Sequence, residues 1–241
     1  MSISAKLDYL HLQARSNRWL WYFAVFCRVA LVAGFIPSGM VKILGERFTA
    51  LSVNHPMGNF LEAIYHTGFY YTTIGILQVT AAVLLLIPRT AVLGAVIYFP
   101  IILNICILSL SVRFDGSLVT SPLMVLANLY LLCWYYHKWK FILPFYHDRL
   151  HYEIPRREDL HNEFPFKFFV GVFAAFLMVV MVVANIYDIY PRNTLSECKT
   201  QCGNSDNSQA CLEFCESIHT KGKPLGKSLE TYYKATEGTA L

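Results

Sequence analysis

Five long apolar segments dominate this sequence and limit the folds that it can adopt. They cover residues 19–44, 68–87, 91–112, 118–136 and 166–187. Each is close to the roughly 20 residues that a helix needs to cross a bilayer. Only 15% of the 241 residues are charged, against about 25% in an ordinary soluble domain. The expected fold class is therefore an all-α, polytopic membrane protein surrounded by lipid.

Short polar connections join the middle segments and indicate tight helical hairpins, at residues 88–90 and at residues 113–117. Longer polar stretches divide the rest of the chain. We expect a cytoplasmic N-terminal segment (1–18), a four-span bundle (19–136), a cytoplasmic loop (137–165), a fifth transmembrane helix (166–187) and an extracytoplasmic tail (188–241). The first segment lacks the pattern of a cleavable signal peptide, so we expect the first span to be retained.

The distribution of Lys and Arg predicts the orientation, because cytoplasmic flanks of membrane spans carry more of these residues. With the N-terminus inside, ten lie on the inner side and three in the short outer loops. The inner residues are Lys6, Arg15, Arg18, Arg89, Lys138, Lys140, Arg149, Arg156, Arg157 and Lys167, and the outer ones are Lys42, Arg47 and Arg113. An odd number of spans then places the C-terminal tail outside, on the oxidising side.

Four cysteines in the tail follow the pattern Cys198-x3-Cys202-x8-Cys211-x3-Cys215. A spacing of four residues puts both thiols of a pair on one face of a helix. Folding two such helices back antiparallel pairs Cys198 with Cys215 and Cys202 with Cys211. This arrangement resembles the twin Cys-x3-Cys helical hairpins that two disulfides staple, and we expect one over residues 194–219.

Two other uses of the four thiols stay open at this point. A zinc site uses such thiols, although two-residue gaps within each pair are more usual. A thiol–disulfide relay is the other, although catalytic pairs more typically have Cys-x-x-Cys spacing. We favour the structural staple, since it needs only the oxidising compartment that the charge distribution predicts.

Polar side chains inside the spans are candidates for an intramembrane site, because a charge there costs at least about 2.5–3.5 kcal/mol. Arg28 lies well inside the first span, and Lys42 lies near its outer end. Gln78, Asn104 and Asn128 lie at middle depths of the next three spans. One interpretation is that these three amides face Arg28 across the bundle interior. The interpretation that we favour for the amides is interhelical hydrogen bonding, worth about 0.6 kcal/mol on average.

The partner of Arg28 is open between a quinone, an anionic head group and backbone carbonyl groups. Arg113 and Asp115 bracket the short outer turn. We expect them to pair with each other, to shape a mouth above Arg28, or to form only a polar hairpin tip. No histidine lies within a span to hold a haem, and we expect no metal site. No basic patch interleaved with aromatic residues indicates nucleic-acid binding.

The first four spans resemble the DoxX-like family of small bacterial membrane proteins over roughly residues 20–140. The first-span motif reads Arg28-x5-Gly34-x4-Gly39-x2-Lys42, and in the second span the polar Gln78 precedes an apolar run that ends at Pro88-Arg89. The resemblance implies a four-helix bundle in the bacterial inner membrane. The fifth span and the cysteine hairpin lie outside it. The family often has glutamate where this chain has Gln78, so a titratable group is missing here.

The resemblance also suggests a function. Some members of that family are subunits of membrane oxidoreductase systems, including thiosulfate:quinone oxidoreductase. We therefore expect a non-catalytic accessory subunit of a quinone-linked membrane redox complex, with other membrane or periplasmic subunits as partners and quinone as the one cofactor suggested. One alternative is a structural or assembly partner that docks an envelope protein through the cysteine hairpin. The other is a carrier of small solutes or lipids.

Overall fold

A computed structural model describes residues 3–140, 160–205 and 207–237, and the named secondary-structure elements in this part of the chain are all helices. The helices are α1 (Ile3–Arg15), α2 (Arg18–Ile43), α3 (Pro56–Tyr65), α4 (Phe69–Leu86), α5 (Ala91–Ser111), α6 (Thr120–Trp134), α7 (Tyr136–Trp139), α8 (Phe166–Asn185), α9 (Leu195–Gln201), α10 (Ser208–His219) and α11 (Leu225–Glu237). Most of the predicted cytoplasmic loop, with Arg149, Arg156 and Arg157, lies outside the described residues. The predicted all-α membrane fold class is confirmed.

Four helices (α2, α4, α5 and α8) are long and apolar enough to cross a membrane, so the chain is a multi-pass membrane protein. The predicted fourth span is shorter than expected, because α6 has 15 residues and rises about 22 Å at 1.5 Å per residue. Its start is delayed to Thr120, since Ser117 belongs to the preceding turn and its hydroxyl lies 2.6 Å from that of Ser109.

All five of these apolar helices contribute residues to each of the two compact units into which the chain divides. The first unit comprises Met1–Pro37, Leu77–Ile102 and Leu123–Met178, and the second comprises Ser38–Ile76, Leu103–Pro122 and Val179–Leu241. The chain therefore passes between the units five times, and its two ends belong to different units.

Close helix contacts build the interior of the first unit. A Cβ atom on Gly94 of α5 would lie 2.7 Å from the backbone nitrogen of Leu85 in α4, so only glycine permits this approach. On α5, the fully buried Tyr98 stacks on Phe35 of α2 with ring centroids 3.6 Å apart. Its hydroxyl donates to the carbonyl oxygen of Leu31 at 3.1 Å. Helices α2, α4 and α5 thus pack without intervening space.

Helix α1 occupies most of the segment 1–18, for which the sequence predicted no element. Buried polar contacts hold it against the end of α6. Lys140 Nζ donates to the Asp8 carboxylate at 3.1 Å, and His11 Nε2 lies 3.0 Å from the carbonyl oxygen of Trp134. The Arg15 guanidinium lies 4.5 Å from the centroid of the Trp134 ring. His11 and Trp134 are more than 100 residues apart in sequence. A local sequence pattern therefore does not reveal the contacts that hold α1 in place.

In the second unit, helix α3 lies inside the polar stretch 45–67, where no helix was predicted. His55 caps its start, because His55 Nδ1 accepts from the backbone N–H groups of Met57 (3.1 Å) and Gly58 (3.4 Å). Pro56 then occupies the first turn, where its lack of an N–H group carries no penalty. A histidine followed by proline is thus the local signal that starts this helix.

The cysteine tail folds into the predicted hairpin. Disulfides join Cys198 to Cys215 and Cys202 to Cys211, linking α9 to α10. The predicted pairing is confirmed, and all four cysteines are buried. Their burial against one another leaves the sulfur atoms little exposed to external thiols, as expected of structural disulfides.

Helix α11 completes this small module and was not predicted. Its buried Tyr232 lies 6.0 Å from Phe214 of α10, measured between ring centroids. Leu225 and Leu229 also pack against the cysteine core. Leu225, Leu229 and Tyr232 recur at intervals of four and three residues, which is the signal of one helix face. We call residues 194–237 the tail module and residues 186–193 the linker.

Replacing Cys202 and Cys211 together by serine should destabilise the tail module by about 2–3 kcal/mol, because the disulfide closes a loop with a sequence separation of 9. Hydrogen exchange of the α10 amides measures this as a loss of protection. The control is Cys133→Ser, which changes an exposed free thiol in α6. Equal protection in the double variant and the parent would contradict a structural role for this bond.

Candidate functional site

The polar residues predicted within the spans divide between the two units. Arg28, Gln78 and Asn128 belong to the first unit, and Lys42 and Asn104 belong to the second. The first unit thus holds one cation and two amides, and the second holds one cation and one amide.

Arg28 caps the end of α4. Its Nε atom donates to the carbonyl oxygen of Leu85 at 2.6 Å, and its Nη2 atom donates to that of Leu86. These are the last residues of α4, where carbonyl groups have no donor within the helix and the helix dipole is negative. The positive charge of Arg28 is therefore balanced by backbone carbonyls, one of the alternatives left open by the sequence.

Gln78 and Asn128 leave two acceptors unused in the first unit. Their side chains are 1% and 0% exposed. Asn128 donates its Nδ2 atom to the carbonyl oxygen of Ala95 at 3.0 Å. The Oδ1 atom of Asn128 and the Oε1 atom of Gln78 are buried, and neither accepts a hydrogen bond from a described residue. An unused buried acceptor costs about 1–3 kcal/mol, so both atoms are suited to a donor supplied by a ligand or a water molecule.

Both acceptors lie beside the close contact between α4 and α5. Gln78 lies about one helical turn along α4 from Ala81, whose carbonyl oxygen would lie 2.9 Å from a Cβ atom on Gly94. Asn128 bonds Ala95, the residue that follows Gly94. An amide does not titrate, so each of these oxygens can accept from a hydroxyl donor but cannot itself take up a proton at ordinary pH.

Lys42 is only 8% exposed, although it lies next to the last residue of α2. Its Nζ atom donates to the carbonyl oxygen of Ser38 at 2.8 Å and lies 4.2 Å from the centroid of the Phe48 ring. The carbonyl and the ring face together stabilise the ammonium group. Lys42 lies against Gly75 of α4, where a Cβ atom would lie 2.8 Å from Lys42 Cβ.

Asn104 differs from its expected interior position, because its side chain is exposed on α5. The interior face of this part of the helix carries Ile102, Cys106 and Ser109, all buried. At about 100° per residue, Asn104 lies on nearly the opposite face from Ile102 and Cys106. Mid-span depth alone therefore did not predict the direction of this side chain.

The outer-turn residues bind the linker rather than each other. Arg113 is buried and donates Nη1 to the carbonyl oxygen of Ile189 at 2.7 Å, and its guanidinium lies 4.3 Å from the centroid of the Tyr187 ring. Arg192 donates to Asp115 Oδ2 at 3.0 Å. We call the contacts of Arg113 and Asp115 with the linker, together with those of His55 below, the linker clamp.

Both arginines of the clamp have left-handed backbone conformations, with φ of 55° at Arg113 and 53° at Arg192. Such φ values are uncommon for residues other than glycine. They persist where surrounding contacts hold the backbone in place. The paired contacts of the turn and the linker provide that restraint here.

His55 and His219 form the other half of the clamp. His55 is 1% exposed, and the two rings lie 5.9 Å apart between centroids. His55 also bonds the backbone of Arg192. His219 Nε2 lies 2.7 Å from the carbonyl oxygen of Pro191, and Asn54 Nδ2 donates to the carbonyl oxygen of His219 at 2.8 Å. The start of α3, the end of α10 and the linker are thus joined.

The pKa of His55 is lowered to about 4, mainly by burial and also by the neighbouring His219, whereas the bond to the Arg192 backbone acts in the opposite direction. His55 is therefore neutral near pH 7. The neutral form also suits its cap, since its Nδ1 atom must accept from two backbone N–H groups. Protonation of Nδ1 would turn this acceptor into a donor.

Sequence reasoning did not single out His55, His219 or Arg192. For His55 the following proline was an available signal. For Arg192 no local signal exists, because its partner Asp115 lies 77 residues away. Only the fold brings the residues of the linker clamp together.

Comparison with known proteins gives one informative relationship. No family model and no solved structure matches the sequence. The chain is 45% identical over 116 residues to the Bacillus subtilis (strain 168) protein named "Uncharacterized protein YwoB". The alignment covers 43% of this chain and 71% of YwoB. The chain belongs to the YwoB family. The name of YwoB assigns no activity to that protein.

Lowering the pH from about 6.5 to 4 should loosen the linker clamp. His55 has a pKa of about 4 in the folded chain and 6.5 as its reference value, so the unfolded form binds more protons in this window. Stability is then lost as the pH falls through it, by about 3 kcal/mol in total. The measurement is the hydrogen-exchange protection of the linker amides, corrected for intrinsic exchange rates.

The control for this pH effect is His55→Asn, because asparagine also caps a helix start but does not titrate. Its linker should keep most of its protection and lose most of the pH dependence. The same pH dependence in parent and variant would show that His55 is not the responsible group.

Proposed function

We propose that this membrane protein is an accessory subunit that presents its rigid tail module to an extracytoplasmic partner protein of the same membrane complex. The observation that carries this proposal is the linker clamp. Arg113, Asp115 and His55 hold the linker from two sides. Two disulfides then hold the helices of the module itself.

A rigid module suits docking for an energetic reason. Ordering a flexible segment on binding costs roughly 0.5–1.5 kcal/mol for each immobilised side chain. The clamp and the disulfides meet this cost during folding, before any partner binds. An open cleft of about 310 Å³ beside the clamp, lined by Asp115, Arg192, Glu197, Thr200 and Gln201, offers a polar surface of mixed charge to a partner.

Docking to an extracytoplasmic partner requires the tail module to lie outside the cytoplasm, and two observations favour this orientation. Ten Lys and Arg residues against three favour a cytoplasmic N-terminus. Structural disulfides form and persist in oxidising compartments, which favours an extracytoplasmic tail. We therefore propose a location in the bacterial inner membrane, with the N-terminus in the cytoplasm and the tail module in the periplasm or its equivalent.

A membrane-impermeant, lysine-reactive crosslinker applied to spheroplasts of the native organism tests both the orientation and the docking. The tail module offers exposed lysines such as Lys199, Lys221 and Lys227, and the opposite orientation would offer Lys6 and Lys138. We expect labelling of the tail lysines and a crosslink to a second protein. Labelling of Lys6 and Lys138 instead would overturn the orientation, and a labelled tail without any crosslinked protein would overturn the docking.

The variant Arg113→Gln should reduce the yield of that crosslink by at least roughly threefold, because it removes a charged hydrogen bond to the linker that is worth about 1.5–3 kcal/mol. Arg113→Lys, which keeps a cationic donor, should restore part of the yield. The matched control is Arg89→Gln in the other short turn, whose side chain is exposed. Equal yields for Arg113→Gln and Arg89→Gln would contradict a role for the clamp.

A second candidate function rests on the unused acceptors of Gln78 and Asn128, and links the complex to quinone chemistry. A hydroquinone carries two O–H donors, and each amide oxygen can accept one. The DoxX-like resemblance points to the same class of ligand. In this proposal the chain holds the quinol in a membrane redox complex, and the electron transfer belongs to another subunit.

Gln78→Leu should lower the occupancy of a co-purifying quinone by roughly three- to tenfold, the effect of one neutral hydrogen bond. The measurement is the quinone extracted per mole of protein after purification in mild detergent. Thr80→Val, at an exposed position of the same helix, is the control. A purified parent protein without quinone, or equal content in parent and Gln78→Leu, would exclude this function.

A further inference from the structure

The part of α5 that lies in the second unit exposes a polar side chain within the membrane. Asn104 is exposed and stands seven residues before the end of the helix at Ser111. At 1.5 Å per residue it lies about 10 Å inside that end. The hydrocarbon core is about 30 Å thick, so the amide is surrounded by lipid tails, which offer no hydrogen-bond partner. An amide without a partner in an apolar medium costs several kcal/mol.

The described part of the chain does not satisfy this amide. No hydrogen bond joins the Asn104 side chain to any of the described residues. Its exposed neighbours Leu103 and Ile107 are apolar. Ser111 lies on the same face, but its hydroxyl already donates to the carbonyl oxygen of Ile107 at 2.8 Å. The face formed by Leu103, Asn104, Ile107 and Ser111 is therefore apolar and carries one unsatisfied amide.

Another exposed asparagine shows the contrast. Asn185 ends α8, and its Nδ2 atom donates to the carbonyl oxygen of Met181 in its own helix at 2.7 Å. That amide has a partner in the same chain. Asn104 has none among the described residues, and it lies deeper in its helix.

We propose that this face of α5 is the contact between two copies of the chain, with the Asn104 amides hydrogen-bonded to each other across a two-fold axis. An amide carries both a donor and an acceptor, so it is complementary to a second copy of itself. A two-fold axis brings the same residue of two chains together. Leu103 and Ile107 then pack beside the amide pair, as apolar side chains do in associated membrane helices.

The test is the monomer–dimer equilibrium of the full-length protein in lipid vesicles, measured by energy transfer between labelled copies over a range of protein-to-lipid ratios. Asn104→Leu should weaken dimerisation by roughly three- to twentyfold, the range reported for interhelical hydrogen bonds in membranes. Asn104→Gln keeps the amide and should retain more of the association than Asn104→Leu. Asn185→Leu, the matched control, should dimerise like the parent.

A second measurement identifies the neighbour directly. A photoreactive residue in place of Asn104 should crosslink two copies of the chain in native membranes. The proposal is overturned by a parent protein that is monomeric at every ratio, by equal dimerisation of parent and Asn104→Leu, or by a crosslink from position 104 to a different protein. None of these outcomes depends on whether the tail module docks a partner.

Discussion

In hydrocarbon a polar group must find its partner inside the protein, because lipid tails neither donate nor accept hydrogen bonds. This constraint explains most of the side-chain contacts of the first unit. Arg28 binds the free carbonyl groups at the end of α4, Tyr98 donates to Leu31, and Asn128 donates to Ala95. Gln78, Asn128 and Asn104 each keep a polar atom that no described residue satisfies, and our proposals of a ligand and of a second chain rest on these atoms.

The tail module depends on a different source of stability. It is small and has few apolar side chains to bury, and a core of this size gives little stability by itself. Two disulfides stabilise this small core, in which Tyr232 packs against Phe214. The linker clamp then connects the module to the turn at Arg113 and to the start of α3 at His55. The disulfides restrain the helices of the module, and the clamp restrains its linker. Both restraints support the docking that we propose.

Much of the architecture was predictable from local patterns. The long apolar segments and the cysteine spacing are short-range signals, and the predicted disulfide pairing follows from that spacing once the two helices fold back antiparallel. Helices α3 and α11 were missed although His55-Pro56 and the repeat of Leu225, Leu229 and Tyr232 were available in the sequence. Helix α1 was missed because its polar face is buried by a distant ion pair with Lys140.

Apolar length and charge distribution by themselves determined that this chain is an all-α membrane protein, because a helix surrounded by lipid needs a run of apolar residues whatever its neighbours are. Only the tertiary structure decided which polar residues are used. It directed Arg28 to α4 and Arg113 to the linker, and it turned Asn104 outward. The direction and the partner of a polar side chain depend on contacts between helices far apart in sequence, and no local pattern contains them.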